Sequence, residues 1–205
     1  MGLHKDGLFS GNLLRAGTWA LPAGLICIAV LLQLGGDPVR HWLAWSRVDI
    51  GAGEAWRLLS GHVVHLGWSH LVLNAAGLAL IWVLVGDTFD PAGWLVVGIS
   101  SIAAIDLGFW LLSPELYWYV GLSGILHGLL VAGIAIGLAR HSRESQVLAL
   151  LIAAKLVWEQ VSGPLPGSEE TSGGAVIVDA HLYGSLGGLA GAWLARRRVR
   201  PDSPI

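Results

Sequence analysis

Long apolar runs separated by short polar breaks dominate the 205-residue chain. A helix needs about 20 mostly apolar residues to cross a hydrocarbon core about 30 Å thick. Six runs approach that length: residues 16–34, 70–86, 92–112, 120–139, 145–161 and 175–195. The second and fifth are short. Asp87-Thr88-Phe89-Asp90-Pro91, Arg140-His141-Ser142-Arg143-Glu144 and a Gly/Pro/Ser-rich stretch over 162–174 break the pattern and carry turn chemistry. The pattern predicts an all-α integral membrane protein of six transmembrane helices. Residues 1–15 read as an N-terminal segment, 16–195 as the six-span core and 196–205 as a basic tail.

Residues 35–69 are the exception, too polar to span and too rich in tryptophan (Trp42, Trp45, Trp56, Trp68) to be a free linker. They predict an interfacial subdomain lying at the membrane surface. A cleaved leader is not expected, because Lys5 and Arg15 precede a span of full length and no clear small-residue cleavage site follows it.

Composition agrees with a lipid environment: 54% of residues are hydrophobic and 13% charged, against about 25% charged in soluble domains. A net charge of -2 carries no nucleic-acid footprint. The single cysteine, Cys27, has no intrachain partner for a disulfide. Charge placement is more informative than charge total. With six spans, Lys5, Arg15, Arg140, Arg143, Arg196, Arg197, Arg198 and Arg200 fall on one side and only Arg40, Arg47 and Arg57 on the other. The positive-inside bias then puts both termini in the cytoplasm and the 35–69 loop outside.

Three motifs carry candidate chemistry. The fourth run opens Gly121-Leu122-Ser123-Gly124-Ile125-Leu126-His127-Gly128, a hydroxyl between glycines near a helix N-terminus on the outer side. Free N–H groups and the helix dipole stabilise an oxyanion there; the alternative is a packing serine beside a Gly124/Gly128 helix contact. The sixth run contains His181, an expensive residue inside a span, which points to a bundle interior or a wet cavity. Gly184 and Gly188 share its face and allow close packing on Gly124 and Gly128. A neutral imidazole near Ser123 could act as its general base. At the start of the second run His70 and Asn74, four apart, can donate toward one point, as an oxyanion hole requires, or serve as interhelical polar contacts. His62, His65 and His70 crowd one loop but lack the spacing of a helical His pair with a glutamate, so no metal site and no cofactor is expected. Lys155 and Glu159 read as an i,i+4 ion pair, and Asp106 as a further paired intramembrane charge.

These residues resemble the rhomboid intramembrane proteases over nearly the whole chain. Gly121-Leu122-Ser123-Gly124 is similar to that family's nucleophile motif and His181-x-x-Gly184-x-x-x-Gly188 to its base-bearing sixth helix. His65-x-x-x-x-His70-x-x-x-Asn74 is similar to its second-helix motif and Trp56-Arg57 to its first-loop pair. The resemblance implies a six-helix rhomboid-like bundle and a Ser123–His181 dyad, with His70, Asn74 and the Ser123 N–H stabilising the oxyanion. His127 stands where rhomboids often have tyrosine and either stacks on His181 or competes as base. Asp179, two residues from His181, points away from it and is a poor third member. The Lys155 to Gln160 and Val178 to Gly184 segments resemble the rhombosortase branch, which implies single-span substrates with a C-terminal Gly-Gly tag. A general rhomboid protease, an inactive client-binding relative and a small transporter are the alternatives. The compact core implies a bacterial inner membrane, with the site opening to the periplasm.

Overall fold

The computed structural model describes residues 19–201. The expected N-terminal segment over 1–15, the start of the first run and the end of the basic tail lie outside the described residues. Helix α1 (Ala20–Leu34) bends by 117° into the short α2 (Gly36–Leu43). Gly36, at φ +62°, sits at this corner, in a backbone region that favours glycine. The chain continues through β1 (Trp45–Ser46), α3 (Arg47–Gly51) and α4 (Arg57–Ser60) before the long α5 (Trp68–Val85). There follow α6 (Pro91–Leu112), β2 (Trp118–Tyr119), α7 (Ser123–Ala139), α8 (Arg143–Ser162), the one-turn α9 (Ser168–Ser172) and α10 (Val178–Leu194).

Among the long helices, α6 and α8 begin where a side chain satisfies one of the first N–H groups. Asp90 accepts from the Gly93 N–H at 2.6 Å ahead of Pro91 at the first turn of α6, and Ser142 accepts from the Ser145 N–H at 3.2 Å ahead of α8. At its other end α6 is closed by Arg47, which donates to the carbonyls of Ser113 (2.9 Å), Leu116 (2.8 Å) and Phe109 and lies over the Trp110 ring. The Phe109 carbonyl is among those that a helix end leaves without intrahelical partners, and Ser113 and Leu116 follow that end.

At the centre, α10 packs along both α6 and α7, while α5 covers α7 and α1 covers α5. α8 lies outside α7 and α10 and buries only Ser145 and Glu159. The outward surface is apolar: Leu111 is 74% exposed, Leu150 72% and Val161 81%. Such continuous apolar exposure is stable against lipid and not against water. α5 and α6 are long and apolar enough to cross a bilayer, and the bent pair α1–α2 offers a third such span. α7 is apolar at 17 residues, and α10 has the same length with glycine, serine and histidine in it. The expected fourth run began at 120, but residues 118–119 are drawn into an antiparallel ribbon, Trp45 opposite Tyr119 and Ser46 opposite Trp118, which delays helix entry to Ser123.

The 35–69 segment is organised around Arg57, a 6% exposed guanidinium. It donates to the carbonyls of His41 and Ala44 (both 2.8 Å) and pairs with Glu54 (2.6 Å) and Asp49 (3.4 Å). Trp56 donates to the Trp42 carbonyl at 3.4 Å. At the opposite end Arg198 pairs with Asp90 (3.2 Å), Arg200 with Asp87 (3.3 Å), and Arg140 donates to the Arg200 carbonyl (2.9 Å). The basic chain end thus gathers with the α5–α6 turn and the end of α7, remote from the start of α7.

Candidate active site

Ser123 follows a loop pinned on both sides. The Tyr119 hydroxyl donates to the Gly121 carbonyl at 2.7 Å, and the Gly121 N–H donates to the Gly61 carbonyl at 3.1 Å. Gly121 has φ +125°, and a Cβ there would lie 2.7 Å from Cε1 of His70. Both the backbone region and the space require glycine. Ser123 then stands at the first position of α7, where N–H groups have no intrahelical acceptor and the positive end of the helix dipole is exposed.

His181, in the first turn of α10 and 4% exposed, brings Nε2 to 3.0 Å from Ser123 Oγ. Glycines set that distance. A Cβ on Gly184 would fall on the Gly124 carbonyl, and one on Gly188 on the Gly128 carbonyl, so the two helix backbones touch along this seam. In a bilayer such van der Waals contact between small residues is a principal source of helix association.

His127 stacks on His181 with ring centroids 4.1 Å apart and planes at 15°. Its Nε2 lies 2.9 Å from Lys155 Nζ and its Nδ1 2.8 Å from the Ser123 carbonyl oxygen. An ammonium only donates, so His127 Nε2 accepts and Nδ1 carries the proton given to that carbonyl. The single lone pair of a neutral His127 is therefore engaged by Lys155 and not by the Ser123 hydroxyl. Lys155 also donates to Glu159 Oε1 at 2.6 Å, while Glu159 Oε2 lies 3.0 Å from His181 Nδ1. His127, Glu159 and His181 present ligand atoms within 4.8 Å of one another, a set able to hold a cation. The Lys155 ammonium reaches all three.

His70 Nδ1 accepts from the Leu66 N–H at 3.4 Å, which leaves the proton of its neutral form on Nε2, facing Gly121. Asn74, 5% exposed, donates to the His70 carbonyl at 3.0 Å. The three histidines expected in one loop are divided: His62 and His65 precede α5, whereas His70 lies in its first turn. His62 pairs with Asp106 at 3.3 Å, and His65 packs edge-on against His70 with centroids 5.1 Å apart. Asp179 turns away from His181 and accepts from Ser113 Oγ at 2.9 Å; that hydroxyl also lies 3.0 Å from the Tyr183 hydroxyl. The hydrogen bonds of Trp56 and Arg57 go to Trp42, Glu54, His41 and Ala44, all within the 35–69 segment.

Residues 52–198 match the rhomboid domain family. The chain belongs to the rhomboid family. Among its relatives is rhomboid protease GlpG of Klebsiella pneumoniae, 34% identical over 185 residues, covering 86% of this chain and 62% of that protein. The GlpG of Salmonella newport is 27% identical over 197 residues, covering 90% of this chain and 67% of its own length. The chain spans about three fifths of the length of the Klebsiella relative. Nothing in these matches singles out the rhombosortase branch.

Against this rhomboid background, Glu159 is the residue whose surroundings spacing did not reveal. Its i,i+4 relation to Lys155 is local, whereas its contact with His181 joins residues 22 apart on different helices. The available signal was a carboxylate with one lysine on a largely apolar run, in a medium where such a group needs partners.

Proposed function

We propose that the chain is a rhomboid-type intramembrane serine endopeptidase acting on single-span membrane proteins near the outer end of the spanning helix. The observation that carries this reading is the 3.0 Å approach of Ser123 Oγ to His181 Nε2 at a helix N-terminus. Ser123 Oγ attacks the scissile carbonyl carbon as its proton passes to His181 Nε2. The oxyanion is stabilised by the Ser123 N–H, with His70 and Asn74 donating from α5. Collapse expels the amine, which takes the proton from His181, and leaves an ester on Ser123. Water, deprotonated by the same imidazole, then releases the new carboxylate. The substrate helix must unwind first, since its carbonyls are otherwise engaged in i→i−4 bonds.

In this reading α1, α5, α6, α7, α8 and α10 are the six spans, both termini are cytoplasmic, and the site opens on the outer face. The basic cluster at the far end from Ser123 supports that sense. The relatives carry the name rhomboid protease, which favours a general rhomboid activity over the Gly-Gly-tag specificity of the rhombosortase resemblance. An inactive client-binding role is less well supported, because the Ser123–His181 contact is intact.

Ser123→Ala and His181→Ala are each expected to reduce cleavage of a reconstituted single-span substrate to background and to abolish fluorophosphonate labelling. The double variant should be no worse than either, because residues acting as one unit are non-additive. Substantial turnover by Ser123→Ala would refute the mechanism.

A further inference from the structure

α8 is the most exposed of the long helices, with only Ser145 and Glu159 buried, yet it turns one carboxylate inward. Glu159 is 3% exposed, while Lys155, one turn earlier, keeps 28% of its side chain exposed. An ion pair alone would be satisfied at the rim beside Lys155. Instead the two carboxylate oxygens divide: Oε1 takes the ammonium at 2.6 Å and Oε2 reaches His181 Nδ1 at 3.0 Å.

The imidazole can answer in only one way if it is to be a base. Lys155 Nζ also lies 3.5 Å from His181 Nδ1, and both it and Glu159 compete for that nitrogen. Were the ammonium to donate there, the ring proton would sit on Nε2, which could not then accept from Ser123. The carboxylate is the nearer partner and only accepts, so it holds the proton on Nδ1 and leaves the Nε2 lone pair aimed at Ser123 Oγ. Lys155 is drawn off to Glu159 and to His127 Nε2.

Resting on the serine protease reading above, we propose that Glu159 is a positioning residue that completes a Ser123–His181–Glu159 triad, and that Lys155 anchors it. Glu159 keeps His181 in the Nδ1–H tautomer and, once the Ser123 proton has reached Nε2, stabilises the imidazolium by charge. It remains ionised throughout, so a single proton moves from Ser123 Oγ to His181 Nε2 and on to the leaving amine. The triad spans α7, α8 and α10, and α8 takes part in the site through its Lys155–Glu159 face.

The test uses the full chain in liposomes with a single-span reporter. Glu159→Gln, which keeps the shape and removes the charge, should lower kcat by about 10²- to 10⁴-fold, the scale seen when a triad loses its acidic member. KM should stay within about twofold, since the contact is made to the base and not to the substrate. Glu159→Asp should recover at least about tenfold of that loss, because the acceptor charge is restored. Independently of any cleavage, ¹⁵N-histidine NMR of the unsubstituted protein should show neutral His181 protonated on Nδ1. A kcat for folded Glu159→Gln within about threefold of the parent, or His181 protonated on Nε2, overturns the triad and leaves Glu159 as the ion-pair partner of Lys155. Turnover by Ser123→Ala is the separate result that would overturn the protease reading.

Discussion

His70 stands beside Gly121 and Asn74 one turn further along α5, and their hydrogen bonds bear on what each contributes in the proposed reaction. The His70 ring, with Nδ1 taken by Leu66, can offer only Nε2–H to a developing oxyanion, whereas Asn74 spends one amide hydrogen on its own helix. Donors that act chiefly in the transition state change turnover more than binding. His70→Ala and Asn74→Ala should therefore each lower kcat by about 10- to 1000-fold with smaller effects on KM; loss of binding with turnover intact would reassign either residue to substrate docking. His65 gives a pH prediction. Burial, and then the charge of His70, lower its pKa from 6.5 to about 3. Between those values the unfolded chain binds a proton that the folded chain refuses, so stability is complete above about pH 6.5 and falls toward pH 3, by up to about 1.4 kcal/mol per unit. Thermal unfolding in detergent between pH 7.5 and 4.5 should show a smaller Tm loss for His65→Gln than for the parent. Equal losses would remove His65 as the cause. That Ser123 and His181 would meet was legible from the residue types and their glycine neighbours. The His181 tautomer was not, because its ring proton is placed by Glu159 on another helix.

Among elements, the α7–α10 seam is the most demanding contact. A side chain on Gly188 would enter the Gly128 backbone of α7, whereas nothing lies within 4 Å of a Cβ on Gly98 of α6. Gly188→Val is expected to destabilise the protein by about 2–4 kcal/mol by forcing the helices apart, and to lower fluorophosphonate labelling of Ser123 with it. Gly98→Ala should be neutral or stabilising by up to about 1 kcal/mol, as alanine is the better helix former. Similar Tm values for the two variants would mean that the seam relaxes freely. Helix existence was legible from apolar runs, and glycine spacing foretold a packing face. The entry of α7 was less legible, since Trp118 and Tyr119 are as apolar as a helix start and become strand only by pairing with Trp45 and Ser46.

For the whole molecule, the two chemically distinct ends of the bundle give a topological prediction. With the basic cluster cytoplasmic, green fluorescent protein fused after residue 205 should fluoresce in a bacterial host, and the same fusion inserted between Gly163 and Gly167, in the α8–α9 loop, should be dark. The opposite pattern would invert the orientation and put the site on the cytoplasmic face. The sequence by itself determined the solvent, the run of helices and the residue types able to do acyl chemistry, because hydropathy, turn residues and glycine spacing are local and add up along the chain. Only the tertiary structure decided which nitrogen faces Ser123, that Glu159 answers to His181 as well as Lys155, and that His62 takes Asp106 while His65 takes His70. Those outcomes depend on which helix faces meet, and a hydrogen bond selects its partner by a few tenths of an ångström between residues that are distant in the chain.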